Sequence, residues 1–384
     1  MAVGRGLELV ATCAAGLEEL LQKELESLGC RSTERQRGAV TFTGEWIDVW
    51  RCNWRLRIAN RVLVNLGEWA ASDGDALAAG AGAIVSSSRS WSGVSAGDLF
   101  HPSFPLAVRA SSRASEVRDT RWIALKVKDG VVDAQRVRWG RRASVDRHDP
   151  DLPLRVLLDN NRATLLLDTS GQPLDRRSYR LDRHVAPLRE NLAAACVLAS
   201  GWDGKGPVVD PMCGAGTLLA EAAGFAMGSA SGELRQGWSF ERLSGFDGEA
   251  FRRVRAEAIP APGPDVQLYG VDHSSSALQA ARANLDRAGL SDRLTLVRRD
   301  TFGWQPPAGP GLVVMNPPYG ERFADSPEQW REIGDLLKQH YQGWKAVIIA
   351  GDPGKGKHIG LRPSLRLPVR NGKIEARILR FELY

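Results

Sequence analysis

Asn316, Pro317, Pro318 and Tyr319 stand directly after a short apolar run, Leu312, Val313, Val314 and Met315, which reads as a buried strand. Two consecutive prolines donate nothing to a sheet ladder and hold the chain extended. The strand must therefore stop there, with the Asn316 side chain and the Pro317 carbonyl facing open space. An exocyclic amine on a flat base carries two N–H donors, which these two oxygens could accept while Tyr319 stacks on the ring. The plain alternative is a proline-rich turn after a strand, and the rest of the chain decides between them.

A second group is Asp210, Pro211, Met212, Cys213, Gly214, Ala215, Gly216 and Thr217, preceded by Val208 and Val209 and followed by an apolar, Ala-rich run over 218–225. It spells strand, glycine turn and helix. Glycines let a backbone approach a ligand closely, and a helix start offers free N–H groups. A dinucleotide fingerprint needs a third glycine where Leu219 stands, which argues against NAD. Asp210 suits a cationic, amine-bearing ligand better than a phosphate. The run 267–271 then leads to Asp272 and a Ser-capped helix over 274–288, placing a carboxylate where it can accept both hydroxyls of a ribose. Residues 294–297 and Asp300 repeat the arrangement one unit later. Either Asp alone could be a helix cap or a surface residue. Together with the glycine loop and Asn316, at the ends of four successive expected strands, they are better explained as one site.

The elements that must position these groups need a large chain, and 384 residues with 43% apolar and 25% charged content suffice for two or three domains. The net charge is +6, which favours a polyanionic partner. Residues 105–185 carry 17 Lys and Arg against 11 Asp and Glu, a net of +6 that equals the excess of the whole chain. Five cysteines without paired C-x-x-C spacing argue against zinc and against a disulfide framework. With no signal peptide and no apolar stretch near the roughly 20 residues that span a bilayer, a cytoplasmic protein is expected.

In chain order, a strand over 7–12 and a Leu-rich helix over 16–28 open the protein, followed by a strand over 39–43, a helix over 46–56 and a strand over 58–66. The Gly- and Ala-rich stretch 73–83 predicts a boundary or loose connection near Gly67. In the basic segment, 106–110 reads as a strand, 115–128 as a helix, and 155–159 with 163–169 as a hairpin turning at Asn160 and Asn161. Arg118, Arg121, Lys126 and Lys128 could contact phosphates along one groove, with the weak specificity of a docking domain. Residues 170–184, polar and aperiodic, read as a linker to a helix starting at Pro187, with Leu188, Leu192 and Cys196 on one stripe. After an apolar strand over 345–350, residues 351–358 nearly spell a P-loop. His358 replaces the Ser or Thr that would bind magnesium, and Gly360 and Pro363 interrupt any helix, so this reads as a basic loop near a nucleic acid. The runs 365–369 and 373–383, joined through Asn371 and Gly372, predict a hairpin that gives a parallel sheet an antiparallel edge.

Phe104 to Arg109, Arg118 to Arg121, Ala124 to Asp129 and Ser144 to Arg147 resemble a THUMP domain, an RNA-docking module of tRNA- and rRNA-modifying enzymes. The resemblance extends over nearly the whole chain to the large-subunit (23S) rRNA guanine-N2 methyltransferases, the family of the amino-terminal half of bifunctional RlmKL. It implies a ferredoxin-like α+β domain over 1–66, a THUMP domain over 67–168, a linker over 169–186 and a class I (Rossmann-like) seven-stranded α/β methyltransferase domain over 187–384. It also implies methyl transfer from S-adenosylmethionine to guanine N2 in RNA. The run Asp210 to Thr217 is similar to the family's donor-binding loop, and the family's position matching Asp300 accepts from the adenine amine. Catalytic roles fall on Asn316, Pro317 and Tyr319. Donor-binding roles fall on Asp210, Met212, Cys213, Gly214, Gly216, Thr217, Asp272, Asp300 and Asn316. A tRNA guanine-N2 enzyme shares these domains, a DNA adenine-N6 enzyme shares the Asn-Pro-Pro-Tyr motif but not the THUMP-like region, and a catalytically dead assembly factor would keep the basic domain but lose acceptors or donor carboxylates, all of which are intact here. Without the second methyltransferase half of the bifunctional relatives, one modification only is expected; a monomer is expected as well.

Overall fold

The structure, a computed structural model, describes residues 6–180, 188–318, 326–351, 354–372 and 374–384. Two seven-stranded sheets organise them. The first takes its strands in the spatial order Arg31–Gln36, Ala39–Gly44, Leu7–Thr12, Arg61–Ala70, Arg162–Asp168, Leu152–Asp159 and Leu106–Arg113. Arg61–Ala70 pairs with Leu7–Thr12 on one side and with Arg162–Asp168 on the other, so one sheet runs unbroken across position 66. Within it Leu7, Leu9 and Ala11 are buried at every second position, the signature of a strand with one face on a core. Asn160 and Asn161 both adopt positive φ, 49° and 57°, as a two-residue type I′ turn demands.

Four differences from the sequence reading appear here. Arg31–Gln36 is an edge strand that no hydrophobic alternation announces, because almost all of it is exposed. The stretch 73–83 is no loose connection: it forms the helix Gly74–Ser86, capped by the Asp73 carboxylate on Ala76 N at 2.8 Å. Its small residues let it press against the helix Thr120–Trp139, since a Cβ added at Gly130 would lie 2.0 Å from the Ala78 carbonyl oxygen. That second helix begins later than expected, where Asp119 caps Arg121 N and Trp122 N, and runs to Gly140 in the left-handed conformation.

The fourth difference concerns 170–180, the described part of the stretch 170–184 read as a linker. Arg176 stays exposed, but Asp175 and Arg177 are buried, Arg177 between the two halves of the chain. Arg177, 3% exposed, donates to the carbonyls of Arg57 and Leu174 and lies 3.5 Å from Glu221, while the Tyr179 hydroxyl donates to Glu221 at 3.2 Å. The expected helix start at Pro187 lies outside the described residues, and the helix itself is Glu190–Ala199. A further attachment comes from residues after the donor-loop helix. Phe246 meets Trp50 edge-on at 5.6 Å, Phe251 meets Trp54 at 6.1 Å, and Arg51 forks onto Glu257 at 2.9 and 3.1 Å.

The second sheet has the order Leu294–Arg298, Leu268–Asp272, Val208–Asp210, Leu312–Met315, Lys345–Ala350, Ile374–Glu382, Leu365–Asn371. All pairings up to Lys345–Ala350 are parallel, and the last two strands form the expected antiparallel hairpin edge. This is the seven-stranded Rossmann-like methyltransferase fold. The strand order reverses at Val208–Asp210, so the crevice beyond the carboxyl ends opens between the glycine loop and the residues after Leu312–Met315.

Candidate active site

The glycine loop is held from below by hydrogen bonds to the next strand. Gly214 N donates to the Asp272 Oδ2 at 3.0 Å, Cys213 N to the Val271 carbonyl at 3.0 Å, and Ser274 N to Asp272 Oδ1 at 2.8 Å. Gly214 (φ 50°) and Gly216 (φ 77°) take left-handed conformations. A Cβ at Gly216 would meet Leu285 at 2.9 Å, so this glycine lets the loop seat on the helix Ser275–Arg287, whereas the space around a Cβ at Gly214 is open to 4 Å. The loop thus presents bare backbone on one side and is packed on the other. Thr217 opens the helix Thr217–Ala226 and accepts a hydrogen bond from Arg180 at 2.8 Å. Met212 is half-buried, and Cys213 is buried with its thiol pushed well up by burial, so it serves packing rather than thiolate chemistry.

Asp210 and Asp272 sit at adjacent strand ends. Asp210 is 1% exposed and accepts from Met212 N at 3.1 Å. Burial, reinforced by the Asp272 charge, pushes its carboxyl up to about 8. A cationic ligand at this point would relieve both causes. Because the folded value lies above the unfolded one of about 3.9, the unfolded chain ionises first and stability falls as pH rises from about 4 through about 8. Glu190, pushed by burial to about 7, adds to the same slope. Asp210→Asn removes only the Asp210 part, so urea midpoints at pH 5 and pH 8 should differ less in the variant than in the parent. Equal differences would place the Asp210 carboxyl in the ordinary range.

Asp300 is exposed and caps the short turn Thr301–Gly303 through Phe302 N at 2.9 Å. The Thr301 hydroxyl donates to the Pro211 carbonyl and ties that turn to the glycine loop. Asn316 follows the fully buried Leu312–Met315, and its Oδ1 is buried with no hydrogen-bond partner among the described residues. Pro317 is buried beside it. Tyr319 lies outside the described residues. The strand ends therefore bring Asp210, the glycine loop, Asp272, Asp300 and Asn316 to one edge of the sheet.

Sequence reasoning missed three supports of this site. Asn284, 1% exposed, donates to the Ala215 carbonyl at 3.0 Å, and a polar amide on the apolar stripe of 275–287 was its available signal. Thr301 and Arg180 had none, since each looked like an ordinary turn or linker residue. The four basic residues of the docking region do not form a single row. Arg118 and Arg121 are exposed, Lys126 lies 3.6 Å from Asp75 and over the Trp122 ring, and Lys128 pairs with Asp129. On a helix Lys126 and Lys128 stand about 200° apart, so one groove cannot take both.

Residues 177–379 match the RMKL-like methyltransferase domain family, 8–63 the RlmL ferredoxin-like domain and 93–168 the THUMP domain. A ribosomal RNA large subunit methyltransferase K/L of Syntrophotalea carbinolica is 37% identical over 98% of this chain and 54% of its own length. The chain thus spans about half the length of that relative. A putative RNA methyltransferase of Synechocystis sp. is 32% identical over 97% of this chain and 96% of its own. Among solved structures, SMU.472, a putative methyltransferase complexed with SAH, superposes with a TM-score of 0.85 at 27% identity, covering 100% of this chain and 99% of that one. Sheet order, glycine loop and sequence matches agree: the chain belongs to the RMKL-like methyltransferase family.

Proposed function

We propose that the protein transfers a methyl group from S-adenosylmethionine to the exocyclic N2 of a guanine in RNA, with large-subunit rRNA as the substrate. The observation that carries this reading is the buried, unpartnered Asn316 Oδ1 at the carboxyl edge of the sheet, because a buried acceptor without a donor is costly unless a ligand supplies one. The residues fit the donor. Bare backbone at Gly214 leaves room for it, Asp210 and Asp272 are anionic partners for its cationic amino-acid end and ribose hydroxyls, and Asp300 is exposed where an adenine amine can reach it. Bound there, S-adenosylmethionine supplies an electrophilic methyl on a sulfonium. The amine nitrogen forms the new N–C bond as the S–C bond breaks, and the amine then loses a proton to solvent. Asn316 and the Pro317 carbonyl orient the amine and stabilise the positive charge it gains, and Tyr319 stacks on a base flipped from its helix. No general base is required, since positioning a lone pair against a good leaving group is the main demand.

The RlmL-like and THUMP matches favour rRNA or tRNA over DNA, and the K/L relative favours rRNA. The enzyme is proposed to act as a cytoplasmic monomer; among the described residues no helix is long and apolar enough to cross a membrane. Mass mapping of rRNA and tRNA from a deletion strain tests the reading. Loss of one N2-methylguanosine from large-subunit rRNA is expected, and loss from tRNA alone would reassign the substrate. At the donor site, Asp272→Ala removes the acceptor of Gly214 N and Ser274 N as well as the hydroxyl contacts. Calorimetry should show S-adenosylmethionine affinity reduced by about 1–3 kcal/mol, and unchanged affinity would remove Asp272 from the site.

A further inference from the structure

The near P-loop and the carboxyl-terminal hairpin share a property that the donor site does not use. Residues 355–380 hold eight Lys and Arg against a single Glu, a net of +7 that exceeds the +6 of the whole chain. The short turn Lys355–Ile359 is pinned to the helix Pro327–His340, where a Cβ at Gly334 would lie 1.8 Å from the Ile359 carbonyl oxygen, and it leaves Lys357 and His358 exposed. Arg366 and Arg370 are exposed on the edge strand Leu365–Asn371, and Arg362 is exposed three residues before it. Arg370 meets Glu375 in an exposed pair, while Arg362 and Arg366 make no ion pair among the described residues.

Register places this charge. Ala350, the last residue of Lys345–Ala350, pairs with Arg377, and Asn371 pairs with Ile374, so the hairpin continues past the carboxyl end of that strand. Met315 pairs with Ile348, which sets Asn316 about level with Ile349 and its partner Ile378. The hairpin tip therefore projects roughly 13 Å beyond Asn316 along the strand direction, at about 3.3 Å per residue. Exposed edge strands commonly carry charge and proline merely to prevent pairing with other chains, and Pro368 fits that role. Edge protection is indifferent to sign, however, and does not account for a segment of eight cations against one anion in which Arg370 and Arg377 stand past the level of Asn316.

We propose that this turn and hairpin form a phosphate-binding rim that receives the RNA strand carrying the target nucleotide, separate from the 93–168 docking region. The proposal rests on the RNA methyltransferase reading and names where its substrate lies. Arg370, past the level of Asn316, Arg366, one residue short of it, and Arg362, just before the strand begins, contact backbone phosphates along this edge and lead the RNA strand to the crevice, where the target base reaches Asn316. The test compares the full chain with an Arg362→Ala, Arg366→Ala, Arg370→Ala variant, using a 20-nucleotide oligo(U) as probe and following fluorescence anisotropy between 50 and 200 mM KCl. At about 0.7 per single-strand phosphate contact, the slope of log affinity against log salt should flatten by about 2, and affinity at 50 mM salt should fall at least about 10-fold. An unchanged slope overturns the rim. The corresponding triple Lys variant separates charge from folding: it should bind almost as the parent does, and a loss equal to the Ala variant's would also overturn the proposal. Parent protein that methylates no deproteinised rRNA would overturn the substrate reading while leaving the slope comparison to decide the rim.

Discussion

Asn316→Ala is expected to slow methyl transfer on the order of 10² to 10³ fold, the usual loss when one preorganised polar contact leaves a transition state. The amide oxygen is buried with no partner among the described residues, so its removal leaves no described donor unpaired. Thermal stability should hold or rise slightly, because a buried acceptor lacking a donor is a cost that Ala removes. Affinity for S-adenosylmethionine should change little, so the loss should appear in the rate of a single turnover rather than in donor binding. Asn316→Asp keeps an acceptor but adds an ionisable group and should fall between Ala and the parent. Parent-like turnover by Asn316→Ala on purified rRNA would return the segment to a proline-rich turn.

Much of this site was legible because its chemistry is local. Gly214 and Gly216 announce a turn by backbone conformation, Asp210 and Asp272 announce strand ends by following apolar runs, and two prolines after Asn316 stop a strand whatever surrounds it. The Asn371 and Gly372 signal likewise gave the antiparallel edge before any pairing was seen. What escaped depends on partners distant in sequence. Arg177 and Glu221 are ordinary charges until the fold buries them together, and Asn284 matters only because Ala215 arrives beside it. Arg31–Gln36 escaped for the opposite reason: an exposed edge strand buries no face, so it imposes no alternation. The excess over 105–185 drew the reading toward one basic region, although 355–380 is at least as basic, because a hairpin's charge acquires a location only through its register.

The Gly- and Ala-rich stretch misled most instructively, and Gly130→Ala tests why. In an isolated helix this change would stabilise by about 1 kcal/mol, since Gly is the poorer helix former. Here the added Cβ would sit 2.0 Å from the Ala78 carbonyl oxygen and 2.7 Å from its carbon, both backbone atoms that no rotamer change can move aside. The helices Gly74–Ser86 and Thr120–Trp139 would have to separate along their whole contact, and overpacking of this kind typically costs about 1–3 kcal/mol, and occasionally more. The clash should outweigh propensity by about 1–2 kcal/mol, lowering the first thermal transition by roughly 2–8 °C at about 2–4 °C per kcal/mol. Gly82→Ala is the control, because its Cβ would come no nearer than 3.2 Å to the Gly130 carbonyl oxygen, a distance that a few tenths of an ångström of adjustment relieves. It should be near neutral. If Gly130→Ala melts at or above the parent temperature, the close helix contact is not what makes 73–83 small, and composition alone would have to explain it.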